Sequence, residues 1–226
     1  MSTARVRRPV TRLTSVTYDT YVRLRNARGN QGLRMAYHDG VLEIMSPEFR
    51  HDLGSRRLYL LVFAYCKAFG LPCQEAGSTT FHKGVFGQPK GRGKEADESF
   101  YIGAAAVAAV LGKSSLDLTV DPPPSLWVEV DNWGSSKARL PLYAGLGVPE
   151  VWRYRARKRS LWIGRLVGDG YEELDASAVL PGLTRAMVNE AMHDVESVGL
   201  TAWWQFVEDV WLPSHWREMT DGGAGG

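Results

Sequence analysis

The chain has 226 residues, of which 44% are hydrophobic and 23% charged, and 27 basic against 25 acidic residues leave a formal net charge of +2. These values are typical of a globular protein and exclude a fibrous chain, a chain disordered over most of its length and a strongly cationic nucleic-acid-packaging protein. The apolar runs are much shorter than the ~20 residues of a membrane-spanning helix, so no membrane association is expected. Cys66 and Cys73 lack zinc-site spacing, and we expect two reduced thiols in a cytoplasmic protein.

Charge is distributed unevenly along the chain. Residues 1–30 contain seven arginines and one acid, and residues 153–165 contain six basic residues and no acid, whereas residues 166–211 contain nine acids and one arginine. Basic segments on a nearly neutral chain predict a local surface for a polyanion, and DNA is the expected partner. The candidate substrate-binding residues lie in the glycine-rich segment 82–94 and are Lys83, Lys90, Arg92 and Lys94.

The first predicted element is a β-hairpin. Residues 34–45 alternate between apolar and polar residues on either side of an Asp-Gly pair, which favours a tight hairpin turn. Residues 51–69 carry apolar side chains at helical spacing and are followed by glycine, which predicts a helix. Two strands are then predicted, over residues 73–82 and 95–102, separated by a glycine-rich loop.

The second half of the chain predicts a central strand followed by a helix. Residues 125–131 are apolar on both faces, as in a buried central strand. A helix is predicted over residues 135–146, beginning or kinked near Pro141. Strands over 149–154 and 160–166 follow, and residues from 175 onward look helical.

Helices that interrupt strands without regular βαβ alternation predict a mixed α/β or α+β domain. We expect a central mixed β-sheet flanked by helices, with an N-terminal β-hairpin and a helical C-terminal segment. The expected domain organisation is a basic N-terminal arm over residues 1–30, a core domain over 31–175, a helical extension packed on the core over 176–220 and a disordered tail over 221–226.

Two acids stand where strands ordinarily avoid them. Asp97 lies within a predicted strand, and Glu129 lies between valines in the predicted central strand. A buried carboxylate is costly unless it is paired or binds a metal ion, so each acid could also be one half of a salt bridge. Two carboxylates on successive strands can instead bind one Mg²⁺, for which Mn²⁺ would substitute.

Other charged residues could complete such a site. Lys137 and Arg139 open the helix that follows the Glu129 strand, where a cation could contact a phosphate or stabilise developing charge. The alternative is that both lie on a solvent-exposed helix face. Lower-ranked candidates are acids or a histidine near these positions, namely Glu43, His51, Glu95 and Asp131.

These residues lie within segments that resemble a known family. The segments GVLEIMSPEFRH, GSTTFHKG, EADESFYIG, DLTVDPPPSLWVEVD and LPLYAGLGVPEVWRY resemble the Uma-type family of putative restriction endonucleases, a branch of the PD-(D/E)XK nuclease superfamily. The resemblance implies a restriction-endonuclease-like core with Asp97 and Glu129 as metal ligands. Asp131 occupies the position of the superfamily's usual lysine, and Ala96 that of the family's proline. The resemblance implies that a basic residue on the following helix substitutes for the lysine, either Arg139 or its neighbour Lys137.

The expected function is therefore metal-dependent endonucleolytic hydrolysis of phosphodiester bonds in DNA. Arg139 could clamp a phosphate, although arginine does not readily give up a proton. A homodimer is expected, because cleaving both strands of a duplex needs two active centres. Trp203, Trp204 and Trp211 would either form its interface or complete the core. The alternative function is a catalytically degenerate nuclease-fold protein that binds nucleic acid or a protein partner without turnover.

Overall fold

The structure is a computed structural model that describes residues 10–30, 32–45, 49–84, 90–132 and 135–223, without the side chains of residues 49–52 and 221–223. Within these residues the chain forms two β-sheets with flanking helices. The strands are β1 Thr11–Leu13, β2 Arg34–His38, β3 Val41–Met45, β4 Cys73–Glu75, β5 Thr80–Gly84, β6 Gly91–Glu95, β7 Glu98–Ile102, β8 Leu126–Asp131, β9 Glu150–Arg155, β10 Ser160–Val167 and β11 Gly170–Leu174. The helices are α1 Tyr18–Asn26, α2 Phe49–Ala68, α3 Ala104–Val110, α4 Leu140–Leu146, α5 Arg185–Ala191, α6 Leu200–Phe206 and α7 Leu212–Gly223.

The first sheet has the strand order β1-β3-β2-β6-β5, and all of its neighbours pair antiparallel. The predicted hairpin is confirmed as β2 and β3. Its turn residues Asp39 and Gly40 have φ values of +43° and +92°, the left-handed backbone that an Asp-Gly pair supplies.

The second sheet is mixed and has the order β11-β10-β9-β8-β7-β4. Strands β8 and β9 are parallel, and the other neighbours are antiparallel. The mixed α+β class is confirmed, with β8 as an inner strand whose residues are buried up to Val130. Pro141 lies in the first turn of α4, so the predicted helix begins there, after a 3-10 turn over Ser136–Arg139.

Two predictions about individual elements are wrong. The single strand predicted over residues 73–82 is two strands, β4 and β5, which belong to different sheets, and Gly77 with a φ of +53° lies between them. Part of the predicted glycine-rich loop is strand β6, and residues 85–89 of that loop lie outside the described residues. Strand β11 was not predicted.

The glycines of this segment make room for aromatic rings. A Cβ atom at Gly84 or Gly91 would overlap the ring of Tyr18, and a Cβ atom at Gly93 would overlap Tyr21. Both tyrosines belong to α1 and are 1% exposed. The described residues of the expected basic arm are therefore packed against the first sheet, because α1 inserts its tyrosines there.

The C-terminal segment completes the core. Trp203 and Trp211 are buried and donate hydrogen bonds to the carbonyl oxygens of Ala191 and Met187 at 2.7 and 2.9 Å. A π-helical stretch, Val207–Trp211, joins α6 to α7, and α7 extends into the expected tail as far as Gly223. Residues 224–226 of that tail lie outside the described residues. None of the helices described is both long and apolar enough to cross a membrane.

Candidate active site

Asp97 and Glu129 lie beside each other at one end of the β7–β8 pair. The strand predicted over residues 95–102 begins only at Glu98, so Asp97 directly precedes β7 and does not lie within a strand. Its backbone N–H donates to the carbonyl oxygen of Val128 at 3.2 Å. Its side-chain Oδ2 accepts a hydrogen bond from the backbone N–H of Val130 at 2.7 Å. The aspartate carboxylate is thus anchored on the strand that carries Glu129.

Both acids are buried and face cations of the first sheet. Asp97 is 5% exposed and Glu129 is 4% exposed. Arg34 of β2 donates to Asp97 Oδ1. Lys94 of β6 donates to Glu129 Oε1 with an Nζ–Oε1 distance of 2.6 Å. Because β2 and β6 are neighbours, the two carboxylates lie on the same side of the second sheet, towards the first.

One oxygen of the Glu129 carboxylate, Oε1, is held by two hydrogen bonds. Its Oε1 also accepts a hydrogen bond from Trp127 Nε1 at 2.6 Å, whereas its Oε2 takes no hydrogen bond from the part of the chain that the structure describes. Burial raises the pKa of Glu129, and the charge of Asp97 raises it further, while Lys94 and Arg139 oppose the shift. The effect of Asp97 on the pKa of Glu129 agrees with the position of both acids on one side of the sheet.

The side chain of Lys94 is buried and does not reach the protein surface. It is 3% exposed, and its Nζ lies 5.7 Å from the ring centroid of Trp127 and 5.8 Å from that of Tyr143. It also donates to the carbonyl oxygen of Glu95 at 2.8 Å. Lys94, which was expected to bind substrate as part of the segment 82–94, directs its ammonium into the interior towards Glu129.

The other basic residues of that segment remain near solvent. Lys83 and Lys90 are exposed. Arg92 is half-buried, with its Nη2 3.5 Å from Asp39 Oδ2 and its guanidinium packed against Gly145. These three side chains, unlike Lys94, keep the surface position that binding to a polyanion requires.

Arg139 reaches the same region from the 3-10 turn that precedes α4. Its Nε and Nη2 donate to Glu43 Oε2 at 3.0 and 2.9 Å. Burial alone would lower the pKa of Arg139, but the charges of Tyr143, Glu129 and Glu43 outweigh it, so the pKa is raised and the guanidinium is firmly cationic. Glu43 is thereby the carboxylate that orients Arg139. Lys137, the alternative, has an exposed side chain.

Two lower-ranked candidates, Asp131 and Glu95, make their ion pairs outside this cluster. Asp131 accepts hydrogen bonds from Arg153 Nη2 and from the backbone N–H of Ser136, both at 2.7 Å, so it joins β8 to β9 and to the 3-10 turn. Glu95 pairs with Arg25 at 2.8 Å on the opposite face of β6 from Lys94. The side chain of His51 is outside the described residues.

Sequence reasoning missed two members of the cluster, Arg34 and Tyr143. The hydroxyl of Tyr143 is buried and has no hydrogen-bond partner among the residues that the structure describes. Burial, together with the charge of Glu129, raises the pKa of Tyr143 well above its usual value. Its ring centroid lies 5.3 Å from that of Trp127. Arg34 begins a predicted strand, and nothing in the spacing of the sequence connects it to Asp97, 63 residues away.

The donor set is suited to a divalent cation held by few protein ligands. Among the residues described, no group of three or more histidine, cysteine or acidic side chains could hold a metal ion. Mg²⁺, however, is usually bound by one or two carboxylates and completes its shell with water and phosphate oxygens. Two adjacent carboxylates whose charges are balanced by internal cations, with Glu129 Oε2 still able to accept a ligand, fit this requirement.

The described residues form a mixed α+β fold in which a buried aspartate directly precedes one strand of the mixed sheet and a buried glutamate lies on the neighbouring strand. The sequence profile of the Uma2 family, described as "putative restriction endonuclease", matches residues 18–200, and the chain belongs to this family. It is similar to a crystal structure described as a putative nuclease belonging to DUF820 from Anabaena variabilis, with a TM-score of 0.54 and 11% sequence identity over 78% of this chain and 99% of the other. At this identity the likeness shows the fold alone. No curated protein matches the sequence.

Proposed function

We propose that the protein is a divalent-metal-dependent endonuclease that hydrolyses phosphodiester bonds in DNA. The observation that carries this proposal is the placement of two buried carboxylates, Asp97 and Glu129, side by side, opposite the buried Lys94 and the partly buried Arg34. Burying three charges is expensive, and an acid whose pKa is raised by burial, as that of Glu129 is, occurs most often at a functional site. Membership of the Uma2 family supports the same chemistry.

Asp97 and Glu129 would hold Mg²⁺, or Mn²⁺ in its place. When bound, the ion would polarise the scissile phosphate and lower the pKa of an attacking water. The anchoring of Asp97 to the backbone of Val130 and of Glu129 to the Trp127 indole fixes both carboxylates before the ion arrives. This arrangement reduces the reorganisation that ion binding would require.

Arg139 would contact the scissile phosphate and stabilise the negative charge that builds on it during attack. Its guanidinium uses two of its N–H groups on Glu43 and retains others for a phosphate oxygen. Since arginine stays protonated, its role is electrostatic and does not include proton transfer.

The DNA backbone would be held by exposed basic residues. Lys83, Lys90 and the turn between β9 and β10, with Arg155, Arg157 and Lys158, are exposed. Phosphate contacts of this kind give affinity that falls with salt and depends little on sequence. A homodimer remains our proposal on the symmetry of the duplex. It gains no support from Trp203 and Trp211, which are buried in the core.

The test is the conversion of supercoiled plasmid to nicked and linear forms by purified protein with Mg²⁺ or Mn²⁺. We expect cleavage that is abolished by EDTA and by Asp97→Ala. Asp169→Ala, which removes an exposed acid in the turn after β10, is the matched control and should cleave normally. Cleavage that survives Asp97→Ala would reject the proposed site.

One observation favours the alternative function of binding without turnover. Arg34 and Lys94 already neutralise Asp97 and Glu129, so the site is electrostatically balanced without a metal ion. In that case the wild-type protein binds DNA or a protein partner, does not cleave it under any divalent cation, and binds equally well after Asp97→Ala.

A further inference from the structure

A lysine–glutamate pair lies in the interior of the protein between the two sheets. Lys94 is 3% exposed and Glu129 4% exposed, and their charged atoms are 2.6 Å apart. Apolar residues of similar volume are often as stable as a buried ion pair, or more stable, because two charges must leave water. Stability alone is therefore a weak reason for this pair.

The surroundings of Lys94 hold its ammonium in one place. The carboxylate of Glu129 and the carbonyl oxygen of Glu95 accept its hydrogen bonds. The rings of Trp127 and Tyr143 lie within 6 Å, the range of a cation–π interaction. With four neighbours fixing its position, the ammonium is preorganised, which is the property that makes a charge effective in catalysis.

The neighbouring basic residues do not occupy this position. Arg139 is tied to Glu43 on the first sheet, and Lys137 projects into solvent. Among the lysines whose side chains the structure describes, Lys94 is the one whose ammonium contacts either of the two acids. It also leaves Oε2 of Glu129 available, because it shares Oε1 with the Trp127 indole.

We propose that Lys94 is a positioning residue of this site, which orients Glu129 for a divalent cation and supplies a fixed positive charge next to the scissile phosphate. The inference rests on the proposed function. Asp131 occupies the position on β8 where the resemblance implies a lysine, and Lys94 of β6 would supply the positive charge instead. Lys94 and Arg139 then act from different elements on the same phosphate, and neither replaces the other.

The test compares Lys94→Met, which keeps the length of the side chain and removes its charge, with the wild type at one pH. We expect turnover of plasmid to fall by ~10²-fold, the effect of removing one preorganised charge. Mn²⁺ affinity measured by calorimetry should be retained within about threefold, because Trp127 still orients Glu129 and the removed positive charge no longer repels the ion. DNA affinity in Ca²⁺ should change little, because exposed lysines and arginines hold the backbone. Lys67→Met, on an exposed face of α2, is the control and should match the wild type in all three.

A second variant covers the case in which Lys94→Met does not fold. Lys94→Ala leaves a space for n-propylammonium, which should restore turnover, while n-propanol of similar size should not. Normal turnover in Lys94→Met would overturn the inference and leave the proposed function intact. If Lys94→Ala loses Mn²⁺ binding and turnover together and the amine restores neither, the role of Lys94 is purely structural. That result would also overturn the inference. A wild-type protein that neither binds Mn²⁺ nor cleaves DNA would reject both the inference and the proposed function.

Discussion

Replacing Arg139 by alanine separates the electrostatic role of this residue from its structural role. The guanidinium donates two hydrogen bonds to Glu43 Oε2, and the two side chains are 21% and 28% exposed. The pair is therefore intermediate between surface ion pairs, worth ~0.2–1 kcal/mol, and fully buried ones, whose disruption costs ~3–5 kcal/mol. We expect Arg139→Ala to lower the free energy of unfolding by about 1–2 kcal/mol.

The effect of Arg139→Ala on turnover should be larger than its effect on stability. Removal of one preorganised donor to a developing negative charge typically lowers turnover by ~10²–10³-fold, or ~2.7–4 kcal/mol of transition-state stabilisation. DNA affinity should change much less, because exposed lysines and arginines hold the backbone. Arg139→Lys should keep much of the turnover, since a point charge still reaches the phosphate, although without the two-pronged contact with Glu43.

The assay is single-turnover cleavage of a labelled duplex at saturating protein, with chemical denaturation of each variant in parallel. Glu43→Gln measures the loss of turnover that comes from misplacing Arg139 alone, because it weakens the Arg139–Glu43 ion pair and leaves the charge of the guanidinium in place. Arg139→Ala with unchanged turnover, together with a large loss in Lys137→Ala, would show that the phosphate-facing cation is Lys137. A loss of turnover in Arg139→Ala no larger than that in Glu43→Gln would refute a direct role of Arg139.

Three further predictions follow from buried groups and from symmetry. Tyr143→Phe should raise the free energy of unfolding by about 1 kcal/mol, because it removes a buried hydroxyl without a partner; thermal denaturation showing clear destabilisation would contradict this. Burial raises the pKa of Glu150, so the folded state holds its proton more tightly than the unfolded state. The free energy of unfolding of the wild type, relative to that of Glu150→Gln, should therefore be greatest at a pH below the usual pKa of glutamate and should decline as the pH rises through the raised pKa. Urea unfolding at several pH values measures this difference, and a difference that does not change with pH would contradict the prediction. Light scattering should give a dimer mass, and a monomer at all accessible concentrations would end that proposal.

Local patterns predicted the elements that carry the two acids. The Asp-Gly turn defined the first hairpin, and the continuous apolar run around Glu129 identified the central strand β8. Because successive strands usually pair, the acid next to β7 and the acid on β8 could be placed close together from the sequence.

Long-range pairing could not be predicted in the same way. Lys94 lies among glycines that resemble a flexible loop, and it is buried because its face of β6 packs against Trp127 and Glu129 of β8 and Tyr143 of α4. Arg34 and Glu43 meet Asp97 and Arg139 because the first sheet covers the second, a contact between elements 63 and 96 residues apart in sequence. Alternation and spacing report on one strand at a time and carry no information about which sheets face each other.

The most direct test of the central claim is a crystal structure of the protein soaked with Mn²⁺, with anomalous diffraction used to locate the ion. We predict one anomalous peak between Asp97 and Glu129, with a carboxylate oxygen of each at roughly 2.1–2.2 Å, and loss of that peak in Asp97→Ala. A crystal saturated with Mn²⁺ that shows no peak there, with Arg34 and Lys94 still bound to the two acids, would contradict the account.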